Sequence, residues 1–265
     1  MIIRLAQSPA EVQVAQRLRY HVFHEEFGAR LAGDEGLDAD RYDAVAQHLL
    51  VIEPANTDEG APAFRLPDGN LVGTYRLITR AGADQAGGFY SAQEFDLAPL
   101  LVRHPGLRFL ELGRSCVLKR ARASAVVELL WQGIWDFVRA QKIDVMLGCA
   151  SFEGLDIARH SEALGFLARH RPAPVEWQVR PKAERHHPLP NVASPGAEAD
   201  KRLLHSLPPL IKGYLRLGCY FGEGCVLDPE FNSIDVLVVL PVAQINPRYF
   251  ARFGAPATEK AAAAN

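Results

Sequence analysis

Apolar and polar positions alternate along the chain with two periods, one typical of strands and one typical of helices. Strand-like patterns occupy residues 1–5, 48–53, 71–79, 107–118, 143–149 and 234–240. Helical patterns occupy residues 8–27, 124–141, 153–170 and 201–217, the last interrupted at Pro208 and Pro209. Several adjacent strands in the first half, followed by strand–helix alternation, predict an α/β fold with a mixed β-sheet flanked by helices.

Local signals support these boundaries. Ser8 precedes Pro9, and Glu11 lies in the first turn, which together are typical of a helix start. Residues 28–46 are rich in Gly and Asp and predict an ordered loop, whereas residues 181–199 are rich in Pro, His, Ala and Ser and predict a long connector.

Composition narrows the functional classes. The chain has 265 residues, of which 48% are hydrophobic and 23% charged, and its formal net charge is −2. These values argue against disorder and against a strongly basic nucleic-acid binder. We expect a cytoplasmic protein, because the N-terminus lacks a signal-peptide pattern and no apolar run reaches about 18 residues. The four cysteines form no CxxC pair, so we expect free thiols and no metal site.

Two segments in the first quarter of the chain carry candidate binding residues. Arg19 and Phe23 lie one helical turn apart and therefore share one face of the first predicted helix. A solvated charged face is the alternative interpretation. Residues 38–43 place three carboxylates within six positions, just before His48. They could hold a cation, or they could cap turns of the loop.

Two strands carry charges that need an explanation. Arg76 lies in a half-buried strand, where it needs a partner unless it reaches solvent at an edge. Strict alternation places Glu111 and Gly113 on one face of their strand and Arg114 on the other. A bulge at Gly113 would turn Arg114 in a new direction. Glu111 is either functional or part of a structural ion pair, because a buried lone carboxylate is unfavourable.

Taken in order, the segments LRYHVFHEE, LDADRYD, GTYRL and FLELGRSCV resemble the ornithine-lipid N-acyltransferases, often called hemolysin-like, which are related to the acyl-homoserine-lactone synthases. The segment PPLIKGYLRLG, followed by Asp228, Phe231 and Asp235, resembles the ornithine-lipid branch. The resemblance covers roughly residues 15–240. It implies a GNAT-like fold in one domain over residues 1–254, with a family-specific segment at about 200–250 and a flexible tail at 255–265.

The resemblance also implies an activity. The expected reaction moves a 3-hydroxyacyl chain from acyl carrier protein to the α-amine of ornithine and gives lyso-ornithine lipid. Acyl carrier protein and ornithine are then the partners, and no separate cofactor is needed. Positions that match functional residues of the acyl-homoserine-lactone synthases are Arg19, Phe23, Asp40, Asp43, Arg76, Glu111 and Arg114.

The chemistry of acyl transfer assigns roles to these residues. The acceptor's ammonium must lose a proton before it attacks a thioester, and Glu111 is our first candidate for the base, with His48 and Asp40 as alternates. Backbone amides at a bulge near Gly113 would stabilise the oxyanion. Candidates for binding the carboxylate of ornithine are Arg19, Arg76 and Arg114. Candidates for binding the second ammonium of ornithine are Asp40 and Asp43.

Basic residues predict where the donor docks. The turn at residues 120–125 lacks both glycines of the CoA-binding turn in related acetyltransferases. An acyl carrier protein presents an acidic surface and a single phosphate, so it suits a basic patch better. The predicted contacts are Lys119, Arg120 and Arg122, with Lys212 or Arg216 as a second contact.

Three other functions remain open on the sequence: an acyltransferase for glutamine or lysine, an acyl-homoserine-lactone synthase, and a catalytically silent GNAT-like binding module. A membrane-active protein is disfavoured, because the chain has no long apolar or strongly amphipathic run. The expected product is a single-chain amphiphile, so we expect transient contact with the inner face of the cytoplasmic membrane.

Overall fold

The computed structural model describes residues 1–30, 36–54, 64–122, 125–193 and 196–245. Its strands are β1 (Ile2–Leu5), β2 (Gln47–Glu53), β3 (Arg65–Leu66), β4 (Gly69–Thr79), β5 (Phe95–Asp96), β6 (Phe109–Val117), β7 (Val145–Glu153), β8 (Arg180–Pro181), β9 (Tyr220–Phe221), β10 (Val226–Asp228) and β11 (Ser233–Pro241). Its helices are α1 (Pro9–Tyr20), α2 (Arg80–Gln85), α3 (Ala98–Arg103), α4 (Val126–Ala140), α5 (Ser161–His170), α6 (Ala197–Ser206) and α7 (Pro209–Leu217).

One mixed sheet organises the described part of the chain. Its strand order is β1-β2-β4-β6-β7-β11-β10, with β3 beside β4 and β9 beside β11. β6 and β7 run parallel, and the other pairs of this sheet run antiparallel. The predicted mixed sheet flanked by helices is therefore confirmed.

The parallel pair at the centre of the sheet diverges part of the way along. Ladder pairs join residues 109–111 of β6 to residues 145–147 of β7, and the described strands form none beyond them. Gly148 lies where the strands part, and a Cβ there would overlap the carbonyl oxygen of Leu112. The strand edges beyond this point face a gap in the sheet rather than each other.

A β-bulge lies beside this gap, at the position that the sequence predicted. Arg114 and Ser115 of β6 together face the single residue Tyr75 of β4. Arg114 has a φ of 50°, a conformation that non-glycine residues seldom adopt. The extra residue brings the guanidinium of Arg114 to the same side of the sheet as Arg76, since both contact Asp40.

The two faces of the sheet are covered differently. α4 packs on one face, where its Gly133 lies against Leu49 of β2. α7 lies on the same face, because the hydroxyl of Tyr214 is 2.9 Å from that of Tyr75, which is paired with Leu49. α1 and the loop at 36–46 cover the opposite face, where Arg76 contacts the loop residue Asp43.

Most predicted elements are confirmed, with shifts at their ends. Ser8 caps α1 by accepting a hydrogen bond from the N–H of Glu11. The helix continues in π-helical geometry over His21–Glu26, which accounts for its predicted length. Pro208 separates α6 from α7, as the interrupted pattern predicted. Part of the predicted loop at 28–46 and the predicted tail at 255–265 lie outside the described residues.

The predicted helix over residues 153–170 is wrong in its first half. β7 extends to Glu153 because β11 pairs with it over its full length. Gly154 then turns the chain with a φ of 87°, and Asp156 accepts a hydrogen bond that closes the next turn. Helix α5 begins at Ser161. The predicted connector at 181–199 includes the end of β8 and the start of α6, and α2 and α3 were not predicted.

No helix within the described residues has the length and apolar content needed to cross a membrane.

Candidate active site

A cavity of about 310 Å³ lies at the gap between β6 and β7, on the face that carries Arg76. We call it the charged cavity. Its ionisable lining comprises Arg76, Arg114, Glu111, Glu153, Asp228 and Asp235. Its aromatic lining comprises Phe23, Phe27, Tyr90, Phe152 and Phe231.

One wall of the charged cavity is backed by a buried network of arginines and aspartates. Nη2 of Arg19 lies 2.8 Å from Oδ2 of Asp43, and Nη1 of Arg76 lies 2.7 Å from Oδ1 of Asp40. Nε of Arg114 lies 3.1 Å from Oδ2 of Asp38. The first helix, the loop at 36–46 and the two neighbouring strands are thus held together by charge.

The loop aspartates are committed to this network. Burial opposes ionisation of Asp43, but hydrogen bonds from Arg19 and the charges of Arg19 and Arg76 outweigh it and hold its pKa well below its usual range. Asp40 bridges Arg76 and Arg114. Neither aspartate belongs to the described lining of the charged cavity. Both were predicted to bind a substrate ammonium, and that role stays a prediction.

Arg76 and Arg114 connect the network to the cavity. The Arg76 side chain is 1% exposed, and its Nε has no hydrogen-bond partner among the described residues. The guanidinium of Arg114 lies 4.6 Å from the ring centre of Tyr90 and 4.4 Å from that of Phe231. The two aromatic rings thus hold the orientation of a cation that lines the cavity.

His48 lies away from the charged cavity. Its Nε2 is 3.2 Å from the carbonyl oxygen of Asp43, and its side chain is buried. Burial, together with the charge of Arg19, lowers the pKa of His48. The imidazole is therefore neutral at physiological pH and fixed against the loop.

Glu111 is buried on the cavity wall with its carboxylate oriented by the segment before α3. Its oxygens accept hydrogen bonds from the N–H groups of Tyr90 at 2.6 Å and Ser91 at 2.7 Å, and from the Ser91 hydroxyl. Burial raises the pKa of Glu111. One acceptor position of Oε2 remains, which suits a carboxylate that takes a proton from a bound molecule.

A second group of carboxylates lies across the cavity, around Cys149 of β7. Burial raises the pKa of Glu94 to about 8 and that of Asp235 to about 6. Glu94, Cys149 and Asp235 are close enough to hold a metal ion, with ligand atoms within 4.8 Å of one another. Burial also keeps the pKa of the Cys149 thiol well above its ordinary value.

The sequence singled out Asp228 and Asp235 by resemblance but assigned them no role, and it gave no signal for Glu94. The turn DPEFNSID was visible as a motif. Its place in the site depends on β11 lying next to β7, which is a pairing between distant parts of the chain.

A second cavity, of about 420 Å³, lies on the opposite face between α4 and α7. We call it the apolar cavity. Its hydrophobic lining includes Val127, Trp131, Ile134, Trp135, Met146, Leu217 and Ile245. Helix α7 borders both cavities, since Leu210 lines the charged one and Gly213 lines the apolar one.

The structure places the predicted donor-binding residues at different parts of the surface. Arg122 and Arg216 both line the apolar cavity. Lys119 and Arg120 lie together at a separate pocket of about 270 Å³, and Arg120 is paired with Glu53. Nζ of Lys212 donates a hydrogen bond of 2.9 Å to a backbone carbonyl in α6 and does not belong to the described lining of the apolar cavity.

Arg122 has a structural partner as well. Its guanidinium forms a two-armed ion pair with Glu26 at the end of the π-helical turn, with one hydrogen bond of 2.6 Å. Arg216 is exposed, and no ion pair joins it to another described residue. Arg216 is therefore the basic residue at this cavity that is free to meet a partner.

Known proteins resemble this chain in sequence or in fold. A family model described as an acetyltransferase (GNAT) domain matches residues 18–132. The L-ornithine N(alpha)-acyltransferases of Rhizobium meliloti (strain 1021) and Brucella abortus (strain 2308) are each 44% identical to this chain. These matches cover 96% of this chain and 84% and 89% of the relatives, respectively.

A solved structure agrees on the fold. FeeM, an N-acyl amino acid synthase from uncultured soil microbes, superimposes with a TM-score of 0.51 at 13% identity, covering 94% of this chain and 97% of that one. The GNAT-like fold and the assignment as an acyltransferase enzyme are thus confirmed. With 44% identity over nearly its whole length, this chain belongs to the family of the L-ornithine N(alpha)-acyltransferases.

Proposed function

We propose that this protein transfers a 3-hydroxyacyl chain from the thioester of an acyl carrier protein to the α-amine of ornithine, giving lyso-ornithine lipid. The observation that carries the proposal is the 44% identity to relatives named for ornithine Nα-acylation. The two cavities support it, because one is charged and the other apolar, and α7 borders both. An amino acid suits the first cavity and an acyl chain the second.

The acceptor's carboxylate is assigned to the arginine wall of the charged cavity. A guanidinium binds a carboxylate through charge-assisted hydrogen bonds, and Arg76 and Arg114 both line this wall. Phe23 and Phe231 meet edge to face at 5.6 Å, which supplies an apolar surface for the acceptor's methylene groups. Arg19 acts one step back, since its partners Asp38 and Asp43 hold the other two arginines in place.

Glu111 is the proposed general base. The α-amine gives a proton to its carboxylate, and the nitrogen lone pair then attacks the thioester carbonyl carbon. The carbonyl oxygen becomes an oxyanion, for which the unpaired strand edge beside the bulge at Arg114 offers backbone N–H groups. Collapse breaks the C–S bond, the leaving thiolate takes the surplus proton of the attacking nitrogen, and Glu111 releases its proton to solvent. His48 and Asp40 are weaker candidates, because the first contacts Asp43 and the second is bound by two arginines.

An acyl carrier protein is the proposed donor. Arg216 and Arg122 lie on the apolar cavity and would meet an acidic partner that delivers its acyl chain there. Lys119 is exposed on the neighbouring surface and would extend this contact. Because the product combines one long chain with a charged head group, we propose a cytoplasmic enzyme that contacts the inner face of the cytoplasmic membrane.

The test is an acyl-transfer assay with the purified protein and 3-hydroxyacyl-carrier protein, read by product mass. Ornithine, lysine, glutamine and S-adenosylmethionine compete as acceptors, and an acyl-CoA of equal chain length serves as the alternative donor. We expect acyl-ornithine from the carrier-protein donor. A preference for glutamine, or lactone formation from S-adenosylmethionine, would assign the chain a different acceptor, and equal use of acyl-CoA would reject the donor assignment.

A further inference from the structure

Two carboxylates on the charged cavity lack a basic partner. Oδ1 of Asp228 accepts hydrogen bonds from the N–H groups of Glu230 and Phe231 at 2.9 and 3.2 Å. Oδ1 of Asp235 accepts a hydrogen bond of 2.9 Å from the Ser233 hydroxyl, and the Ser151 hydroxyl also hydrogen-bonds to this carboxylate. No Lys or Arg among the described residues forms an ion pair with either aspartate, although both are at least nine-tenths buried.

The opposite wall of the same cavity is cationic. Arg76 and Arg114 line it, and the buried Nε of Arg76 has no hydrogen-bond partner within the described part of the chain. An unpartnered guanidinium nitrogen on one side and unpaired carboxylates on the other together indicate a ligand with separated charges of both signs. An acidic surface alone would not specify such a ligand.

We propose that Asp228 and Asp235 bind the side-chain ammonium of a diamino acid acceptor, and that they thereby determine which of its two amines is acylated. This inference rests on the proposed function. It assigns the ammonium to β10 and β11 rather than to the loop aspartates. Asp40 and Asp43 are already bound by arginines and do not belong to the described lining of the cavity.

The protonation of the two amines explains how this subsite would determine which amine is acylated. The α-amine of a free amino acid is a weaker base than its side-chain amine, whose pKa is about 10. Two neighbouring carboxylates stabilise the protonated form and raise the pKa of the amine that they bind. An ammonium has no lone pair for attack. The amine held by Asp228 and Asp235 is thus kept unreactive, while the α-amine at Glu111 is left to lose its proton.

The environment of the aspartates supports binding of a cation. Glu94 lies behind Asp235. Nη2 of Arg185 is 3.2 Å from Oε1 of Glu94. Within the described residues, Arg185 is the one Lys or Arg that pairs with Glu94, Asp228 or Asp235, so this group carries more negative than positive charge. A bound ammonium would relieve this. The ionisable groups that face Glu94 and Asp235 are Asp228, Arg185, Arg114, Tyr90, Cys149 and Cys225.

The experiment compares ornithine with norvaline, which has the same carbon chain without the side-chain amine. Asp228→Asn and Asp235→Asn are assayed with the carrier-protein donor, and Asp96→Asn, an exposed aspartate on β5, is the matched control. Each substitution at the site should lower kcat/KM for ornithine roughly 10- to 100-fold, through KM, and change norvaline less than about threefold. Nδ-acylated product should appear in the variants, whereas the wild type and the control should give the Nα product.

Each outcome decides a different question. Failure of the wild type to acylate ornithine rejects the proposed function, whatever the variants do. Wild-type activity with equal losses for ornithine and norvaline in the variants overturns the subsite. If a variant does not fold, the wild type alone still tests the ammonium subsite, because its KM for norvaline should be at least about tenfold higher than its KM for ornithine. Loss of activity on chelation would assign the carboxylates to a metal and overturn the proposal.

Discussion

The site contains two groups of carboxylates, all buried except the half-buried Asp40, that differ in what surrounds them. The loop group is Asp38, Asp40 and Asp43, and the sheet group is Glu94, Asp228 and Asp235. Each loop aspartate contacts at least one of three buried arginines. In the sheet group, Glu94 contacts Arg185, and the two aspartates have no basic partner among the described residues. The pKa of Asp43 is held low, whereas that of Asp235 is raised to about 6.

This difference separates structure from binding. A carboxylate bound by several arginines has little capacity left for a substrate, and its removal takes counter-charge away from buried cations. A carboxylate that is buried with few partners gains by binding a cation from outside. The loop group therefore fixes Arg76 and Arg114, and the sheet group is left to recognise the acceptor. Glu111 lies between the two groups and is assigned to proton transfer.

The largest effect is expected at Glu111. Glu111→Gln keeps the side chain's size but removes the basic oxygen, so turnover should fall by roughly 10²- to 10⁴-fold in a folded protein. Single-turnover kinetics with the acyl-loaded carrier protein measure it, and circular dichroism checks the fold. If the folded Glu111→Gln variant turned over at the wild-type rate, Glu111 would be excluded as the general base.

The next effect tests the loop group. Asp43→Asn leaves Arg19 and Arg76 without their shared partner, so the free energy of unfolding should fall by about 3–5 kcal/mol at pH 7. The pKa of Asp43 is depressed in the folded state, so its contribution is present above about pH 4 and is lost below it. Urea denaturation of wild type and variant should therefore differ at pH 7 and converge on acidification.

Asp228→Asn is the comparison for that measurement, because it removes a carboxylate that no described Lys or Arg pairs with. We expect its unfolding free energy to stay within about 1 kcal/mol of the wild type. A loss as large as that of Asp43→Asn would contradict the distinction between the two groups.

A smaller effect concerns the donor. Arg216→Glu should raise the apparent KM for acyl carrier protein about 5- to 20-fold and flatten its dependence on salt, since an exposed charge acts mainly on encounter. Arg202→Glu on the exposed face of α6 is the control, and it should change neither. Charge reversal at Arg122 is less informative, because it also breaks the pair with Glu26. An unchanged salt dependence in Arg216→Glu would exclude that residue from the docking surface.

The smallest effect tests the sheet group by pH. The pKa of Glu94 is raised in the folded state, so its contribution to stability is present below about pH 4 and is lost as the pH rises through about 8. Glu94→Gln has no carboxyl group to ionise, so its stability should not fall in this way as the pH rises. Its Tm should exceed that of the wild type by about 2–6 °C at pH 8.5, and the two should approach each other at pH 5. A Tm difference that is constant over this range would show that Glu94 does not titrate there.

The predictions from sequence were most accurate for features that depend on a few neighbouring residues. The cap at Ser8 and the break at Pro208 follow from single residues with strong local preferences. The bulge lies next to Gly113, as predicted, but Arg114 is the residue that adopts the positive φ. The predicted helix is wrong over residues 153–160, because β7 ends in its pairing with β11 at Glu153 and Gly154 then turns the chain. That pairing joins distant parts of the chain, and a pattern of nearby residues does not reveal it.

The sequence by itself determined the fold class, the family and the charged residues around which the site is built, because these depend on periodicity and on motifs contiguous in the chain. The tertiary structure decided what each charge does. Arg114 reaches Asp40 across 74 positions of sequence, and Asp235 comes to the cavity because β11 pairs with β7. The pKa of a carboxylate depends on burial and on the cations within a few ångströms, and both are properties of the folded arrangement.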